Sequence, residues 1–241
     1  MRKIFGTLLA SLGLAVATPS AAATIISSNG ASSNNGGIEY VGSDGVNVRV
    51  TGWAALGGQT IEQVTPGVFG GGLGIENSRE SASGHAADNG GSLDFFILQF
   101  DQAVSLGDVT FNTGFQNSND TDSTIGFALS NLPFGTDLNL AGQNLSALNF
   151  LTQYESTAGN PFSGDSTRNV NTAGNVGNVW LIAPSFINQD HQRDVYKLKS
   201  FSYTTTPVVP EPGTWLMMIL GFGLIGGAMR QKKAGRAVAA A

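Results

Sequence analysis

Side chains able to ligate a metal gather at two places in this chain of 241 residues. His85, Asp88, Asn89 and Asp94 fall within a ten-residue stretch that leads into the apolar run "LDFFILQF", with Glu76 and Glu80 shortly upstream. Asp120 and Asp122 follow in "NSNDTDS". Hard oxygen ligands on loops at one end of a β-body suit Ca²⁺, which takes 6–8 oxygens. Such an ion would stabilise an exported domain that has no cysteine and therefore no disulfide. Asp and Asn are equally the commonest turn residues, because their side chains hydrogen-bond their own backbone. Two readings stand: a structural Ca²⁺ held by residues among Glu76, Asp88, Asn89, Asp94, Asp120 and Asp122, or plain turn chemistry.

The case for catalysis is poor. His85 and His191 are the only histidines, and His191 lies in the polar stretch "NQDHQRD". The absence of cysteine removes a thiolate nucleophile and thiolate metal sites. No Gly-x-Ser-x-Gly nucleophile elbow, metalloprotease histidine pair or P-loop is present. Residues 24–210 carry 16 carboxylates, but no two stand out as a glycosidase pair. The expectation is a protein that is not an enzyme.

The elements that would position these groups are strands. Val46, Val48 and Val50 alternate with polar residues, as do Val109, Phe111, Thr113 and Phe115, and again Ile125, Phe127 and Leu129. A period of two marks a strand with one buried face. "LDFFILQF" and "VWLIAP" are nearly continuous apolar runs and predict central strands. "VYKLKSFSYTTT" predicts the last strand, and its apolar phase slips between Tyr196/Leu198 and Phe201/Tyr203, which calls for a bulge. Leu145, Leu148 and Leu151, spaced by three, predict one helix over 144–154. With 33 glycines and only 12% charged residues, the chain predicts an all-β fold, an antiparallel β-sandwich of jelly-roll type. Jelly rolls often stack sugars on exposed aromatics, and Tyr40, Trp53, Tyr154 and Trp180 are the candidates, Trp53 foremost because it ends an alternating strand.

Both ends differ from the middle. Met1-Arg2-Lys3, the apolar Ile4–Ala17 and the small residues Pro19 to Ala23 form a secretory signal peptide over 1–23, with Ala21 and Ala23 at the positions a signal peptidase reads. Residues 24–210 hold 16 acidic and 6 basic residues, a net of −10, which argues against nucleic acid as a partner. Near the C-terminus, 213–229 are 17 residues without charge, about 26 Å as a helix against a bilayer core of about 30 Å. Trp215 stands at one end and Arg230, Lys232, Lys233 and Arg236 at the other, the arrangement of a membrane helix with its basic end in the cytoplasm. Gly221-Phe222-Gly223-Leu224-Ile225-Gly226 fits the dinucleotide pattern G-x-G-x-x-G by spacing alone, since no strand precedes it.

Pro210-Glu211-Pro212, Trp215, the apolar glycine-rich segment and the basic cluster together resemble the PEP-CTERM protein-sorting signal, in its variant with Trp after the second Pro. The resemblance covers about the last 35 residues of the chain. It implies a transient inner-membrane anchor, an exosortase that acts near the Pro-Glu-Pro, and a surface or extracellular destination in a Gram-negative bacterium that makes exopolysaccharide. The body, through "GGLGIEN", "DTDSTIGFAL", "NVWLIAPSF" and "DVYKLKSFSYTT" in that order, is similar to exosortase-dependent surface proteins with a β-sandwich domain. That similarity implies no catalytic activity. The expected organisation is a signal peptide over 1–23, a β-sandwich over 24–206 and a sorting segment over 207–241. The expected role is a non-catalytic component of the surface or matrix associated with exopolysaccharide. A carbohydrate-binding module is the alternative, and a secreted hydrolase a third.

Overall fold

The computed structural model describes residues 22–27, 32–34, 36–57, 60–77, 85–114, 120–148, 150–155, 164–188, 190–205 and 217–226. Ala21, Glu80, Pro210, Glu211, Pro212, Trp215, Arg230, Lys232, Lys233 and Arg236 lie outside these described residues. The chain divides into two units, Thr18–Thr206, and Met1–Ala17 with Pro207–Ala241.

In chain order the first unit forms β1 (Ala23–Ile26), β2 (Ser32–Asn34), β3 (Gly37–Val41), β4 (Asn47–Leu56), β5 (Thr60–Val64), β6 (Pro66–Phe69) and β7 (Gly72–Ile75). There follow β8 (Ala87–Asp88), β9 (Ser92–Asn112), β10 (Ser123–Ala128), β11 (Leu151–Glu155), β12 (Asp165–Asn169), β13 (Gly177–Pro184) and β14 (Val195–Thr205). Every paired strand among them runs antiparallel to its neighbours. The all-β antiparallel architecture that the period-two pattern and the turn-rich composition predict is present. The strands join into one continuous, nearly closed, barrel-like sheet in the order β11-β10-β13-β9-β14-β7-β6, with the others attached along it.

The sheet is continuous because of β9. The sequence predicts separate strands at 93–100 and from 109, but they are one strand of 21 residues. Its first half pairs with β4 on one edge (Val48↔Phe100 to Leu56↔Ser92) and with β13 on the other (Val179↔Gln99 to Ile182↔Phe96). Its second half pairs with β14 (Thr205↔Val104 to Lys197↔Asn112) and with β12 (Asn169↔Asp108 to Asp165↔Asn112). One strand thus runs through two parts of the sheet, and Asp101 and Gln102, both exposed, mark where its partners change.

Burial follows the same division. In the first half of β9 the side chains alternate between two cores. Phe96, Leu98 and Phe100 enter the main core with Val48, Val50, Trp180, Phe201 and Tyr203. Leu93, Phe95 and Ile97 enter a second core with Trp53, Ala55, Val179 and Leu181, covered by Leu138, Leu140, Leu145, Leu148 and Phe150 of the connection after β10. Both faces of this layer are therefore dry, which is why "LDFFILQF" and "VWLIAP" are apolar without alternation. In the second half only one face is buried and alternation returns, with Val104, Leu106, Val109 and Phe111 inward. Phe100 meets Tyr203 edge-on at 5.1 Å, and Phe111 meets Tyr196 at 4.5 Å, so aromatic pairs close the layers together.

The slip of phase in the last strand is real. β14 shifts register against β9 between Leu198 and Ser200 and again between Phe201 and Tyr203. The "GGLG" of β7 is explained by close approach. Gly72 has φ +140°, and a Cβ on Gly74 would stand 1.5 Å from the His85 carbonyl oxygen. The helix expected over 144–154 is absent and is corrected to a 3₁₀ turn, Leu145–Ala147, followed by β11. Leu145 and Leu148 use their spacing of three to cap the second core, and 151–155 are claimed by the open edge of β10. Tertiary pairing overrides a weak local helical pattern there.

In the second unit the described residues form a helix over 217–226. Gly221–Gly226 lie inside it, so the G-x-G-x-x-G spacing has no strand-to-helix turn to act in. Its large apolar side chains, Met217, Met218, Ile219, Leu220, Phe222, Leu224 and Ile225, are 47–75% exposed. Among the described residues no helix is long and apolar enough to cross a membrane. The ten helical residues span about 15 Å, and the flanks 213–216 and 227–229 lie outside the described residues.

Trp180 is fully buried and its Nε1–H donates to the Gly177 carbonyl at 3.0 Å. Trp180→Ala is expected to cost about 3–5 kcal/mol in urea unfolding, whereas Leu129→Ala, at an exposed site, should stay within about 0.5 kcal/mol.

Candidate metal centre

Three loops meet at the end of the sheet where β14 begins. The first precedes β10 and carries Asp120 and Asp122. The second joins β13 to β14 and carries Asp190 and Asp194. The third is the turn after β8 and carries Asn89. Strand pairing fixes them, because Ser123 is opposite Pro184 and Val195 is opposite Asp88. The loops are then stitched by backbone. Val195 N–H donates to Asp120 O at 3.0 Å, Ser185 N–H to Asp122 O at 3.0 Å, and Asn89 N–H to Asp194 O at 3.3 Å.

The carboxyl oxygens of Asp120, Asp122 and Asp190 lie within 4.8 Å of one another. Asp120 is 1% exposed, and Asp122 and Asp194 are fully buried. Asp194 is held by Asn89, whose Nδ2 donates to Asp194 Oδ2 at 2.6 Å and whose Oδ1 accepts from the Asp194 N–H at 2.9 Å. Burial first, then the charges of Asp122, Asp120 and Asp190, push the Asp194 carboxyl up to about 7, against the Asn89 hydrogen bond that lowers it. Burial is also the main cause that raises Asp120, opposed by the Thr121 N–H and reinforced by Asp190. A carboxyl whose folded value lies above its unfolded one favours the fold at low pH and opposes it increasingly as pH rises toward the folded value. The cluster therefore costs stability at neutral pH unless a proton or a cation offsets its charge.

Of the six residues named from the sequence as ligands, the structure brings Asp120 and Asp122 together and places Asn89 behind them. Asp88 is paired elsewhere, 2.7 Å from Arg193 Nη2, and it also accepts from Gly90 N–H at 2.7 Å. Asp94 is fully buried and accepts from Asn77 Nδ2 at 3.0 Å. Glu76 lies 3.2 Å from His85 Nδ1, with the His85 ring stacked on Phe69 at 4.2 Å. His191 has φ +60° in the loop between Asp190 and Asp194. Asp190 and Asp194 were missed because "NQDHQRD" reads as a solvated loop. The available signal was an Asp-x₃-Asp just before one strand that mirrors the Asp-x-Asp just before another.

The candidate sugar platform is corrected. Trp53 is 2% exposed and donates its Nε1–H to Thr51 Oγ1 at 2.9 Å, so it packs in the second core and offers no face to a ligand. Its place at the end of an alternating strand misled, because that strand is buried on both faces. Trp180 and Tyr40 are buried too. The side chain of Tyr154 lies outside what the structure describes.

Asn89→Ala removes both side-chain bonds to Asp194 and should cost about 1–3 kcal/mol, read by chemical denaturation at pH 7.

No curated protein matches the chain, and no solved structure does. Residues 208–233 match the family model of the PEP-CTERM protein-sorting motif. The chain thus carries at its C-terminus a PEP-CTERM protein-sorting motif, the mark of an exported protein that is an exosortase substrate.

Proposed function

We propose that the chain is a surface or extracellular-matrix protein delivered in three stages. A signal peptidase removes residues 1–23, the 207–241 segment holds the protein transiently in the inner membrane, and an exosortase acts near Pro210-Glu211-Pro212. The sorting motif at 208–233 is the observation that carries this reading. The exposed apolar helix over 217–226 supports it, since such a surface asks for lipid or a partner. The ends of the body support it as well. Ala23 pairs with Tyr203, so β1 begins at the end of the sheet where β14 finishes, and the residues before and after the body join it at that end.

The mature body we read as a jelly-roll-like sandwich whose layers share β9. We take it to be a non-catalytic structural component associated with exopolysaccharide. Of the carboxylates that cluster, Asp120, Asp122 and Asp194 are buried, which weighs against their reaching a glycosidic bond. Burial of Tyr40, Trp53 and Trp180 likewise weighs against sugar stacking as the main role.

Intact mass of the protein from the native host, taken separately from cells and from the extracellular matrix, tests the sorting. A matrix form that begins at Thr24 and ends near Pro210-Glu211-Pro212 is the expected result. A single cell-bound product that retains Arg230 to Ala241 would make the tail a permanent anchor and overturn the proposal.

A further inference from the structure

We propose that Asp120, Asp122 and Asp190, with Asp194 beside them, bind one hard divalent cation of the calcium class, which ties together the loops at the end of the sheet where β14 begins. The proposal stands independently of the sorting mechanism.

Geometry is the first ground. Two oxygens on one Ca²⁺, at 2.3–2.6 Å each, stand no more than about 5 Å apart. The carboxyl oxygens of Asp120, Asp122 and Asp190 meet that limit at 4.8 Å. Unmet bonding is the second ground. Asp194 and Asp120 are 0% and 1% exposed, yet Asp194 Oδ1 and Asp120 Oδ2 have no hydrogen-bond partner. Asp190 Oδ2, Thr121 Oγ1, Ser123 Oγ and Asn188 Oδ1, on the same two loops, are buried and unmatched as well. Buried oxygens without partners are rare, and a concentration of them at one place calls for an ion or a proton.

Two arginines border these loops. Arg193 is paired with Asp88. Arg168 donates Nη2 to the Thr121 carbonyl and lies over the Phe111 ring, 4.7 Å from its centroid. Asn89 acts as a positioning residue, because its two side-chain bonds fix Asp194 Oδ2 and the Asp194 backbone beside Asp120. The ligand class follows from the donors. Carboxylates and hydroxyls with no imidazole or thiolate suit Ca²⁺ rather than zinc or copper.

The site would also explain how these loops stay ordered. β14 is 11 residues long, so the cluster lies about 35 Å from Thr205, where the chain leaves the sheet. No disulfide is available to fasten the loops. A cation bound only by the folded state shifts the folding equilibrium by mass action.

The test is a thermal melt of the full chain in mild detergent at pH 7, in CaCl₂ and in EDTA, with equilibrium dialysis against Ca²⁺. The expected result is about one Ca²⁺ per chain and a melting temperature higher by roughly 5–10 °C at a calcium concentration about 100 times Kd. Asp122→Asn and the more accessible Asp190→Asn, each checked for fold by circular dichroism, should weaken uptake at least tenfold. No uptake by the native chain and no change in melting temperature would overturn the proposal, and the cluster would then be held by a shared proton. Uptake that neither substitution weakens would overturn it as well, by placing the ion elsewhere.

Discussion

The body depends on one strand that belongs to two parts of the sheet. A strand of 21 residues is far longer than the usual 5–6, and it persists because each half has neighbours on both edges. β4 and β13 hold the first half, and β14 and β12 hold the second. Every backbone group along most of its length is thereby paired, which a strand of that length requires if it is to be buried. The two cores are consequences of this. The main core lies on one face of the first half of β9, and the second lies on its other face under the connection that follows β10.

The acidic end is positioned by the same scaffold. β13 ends there at Pro184, while β10 begins at Ser123 and β14 at Val195, so their loops converge. Backbone hydrogen bonds between Asp120 and Val195 and between Asp122 and Ser185 fix the carboxylates close together. Buried carboxylates gathered in one place are electrostatically expensive. Rigidity of the sheet makes the arrangement possible, and a bound cation would make it favourable.

The opposite end does different work. β1 begins where β14 finishes, and the acidic loops lie at the end where β14 begins. The body is polar and net-negative, whereas the helix over 217–226 exposes Met, Ile, Leu and Phe side chains.

The sequence by itself determined the sorting segment and the strands. Pro210-Glu211-Pro212, Trp215 and the basic cluster form a linear signal that is read in order along the chain, so no fold is needed to see it. Strand identity is legible because a period of two, and a slip in it at Lys199, are local properties of the chain. The tertiary structure alone decided which apolar runs fuse, which aromatics face solvent and which carboxylates meet. Trp53 looks exposed until the connection after β10 is laid over it. Leu145 and Leu148 look helical until the edge of β10 claims the residues that follow. Asp190 and Asp194 look like a solvated loop until β13 and β14 bring them beside Asp120 and Asp122, some 70 residues earlier in the chain. The reason is the same in each case. Burial and charge clustering arise from contacts between distant residues, and a one-dimensional pattern holds no record of them.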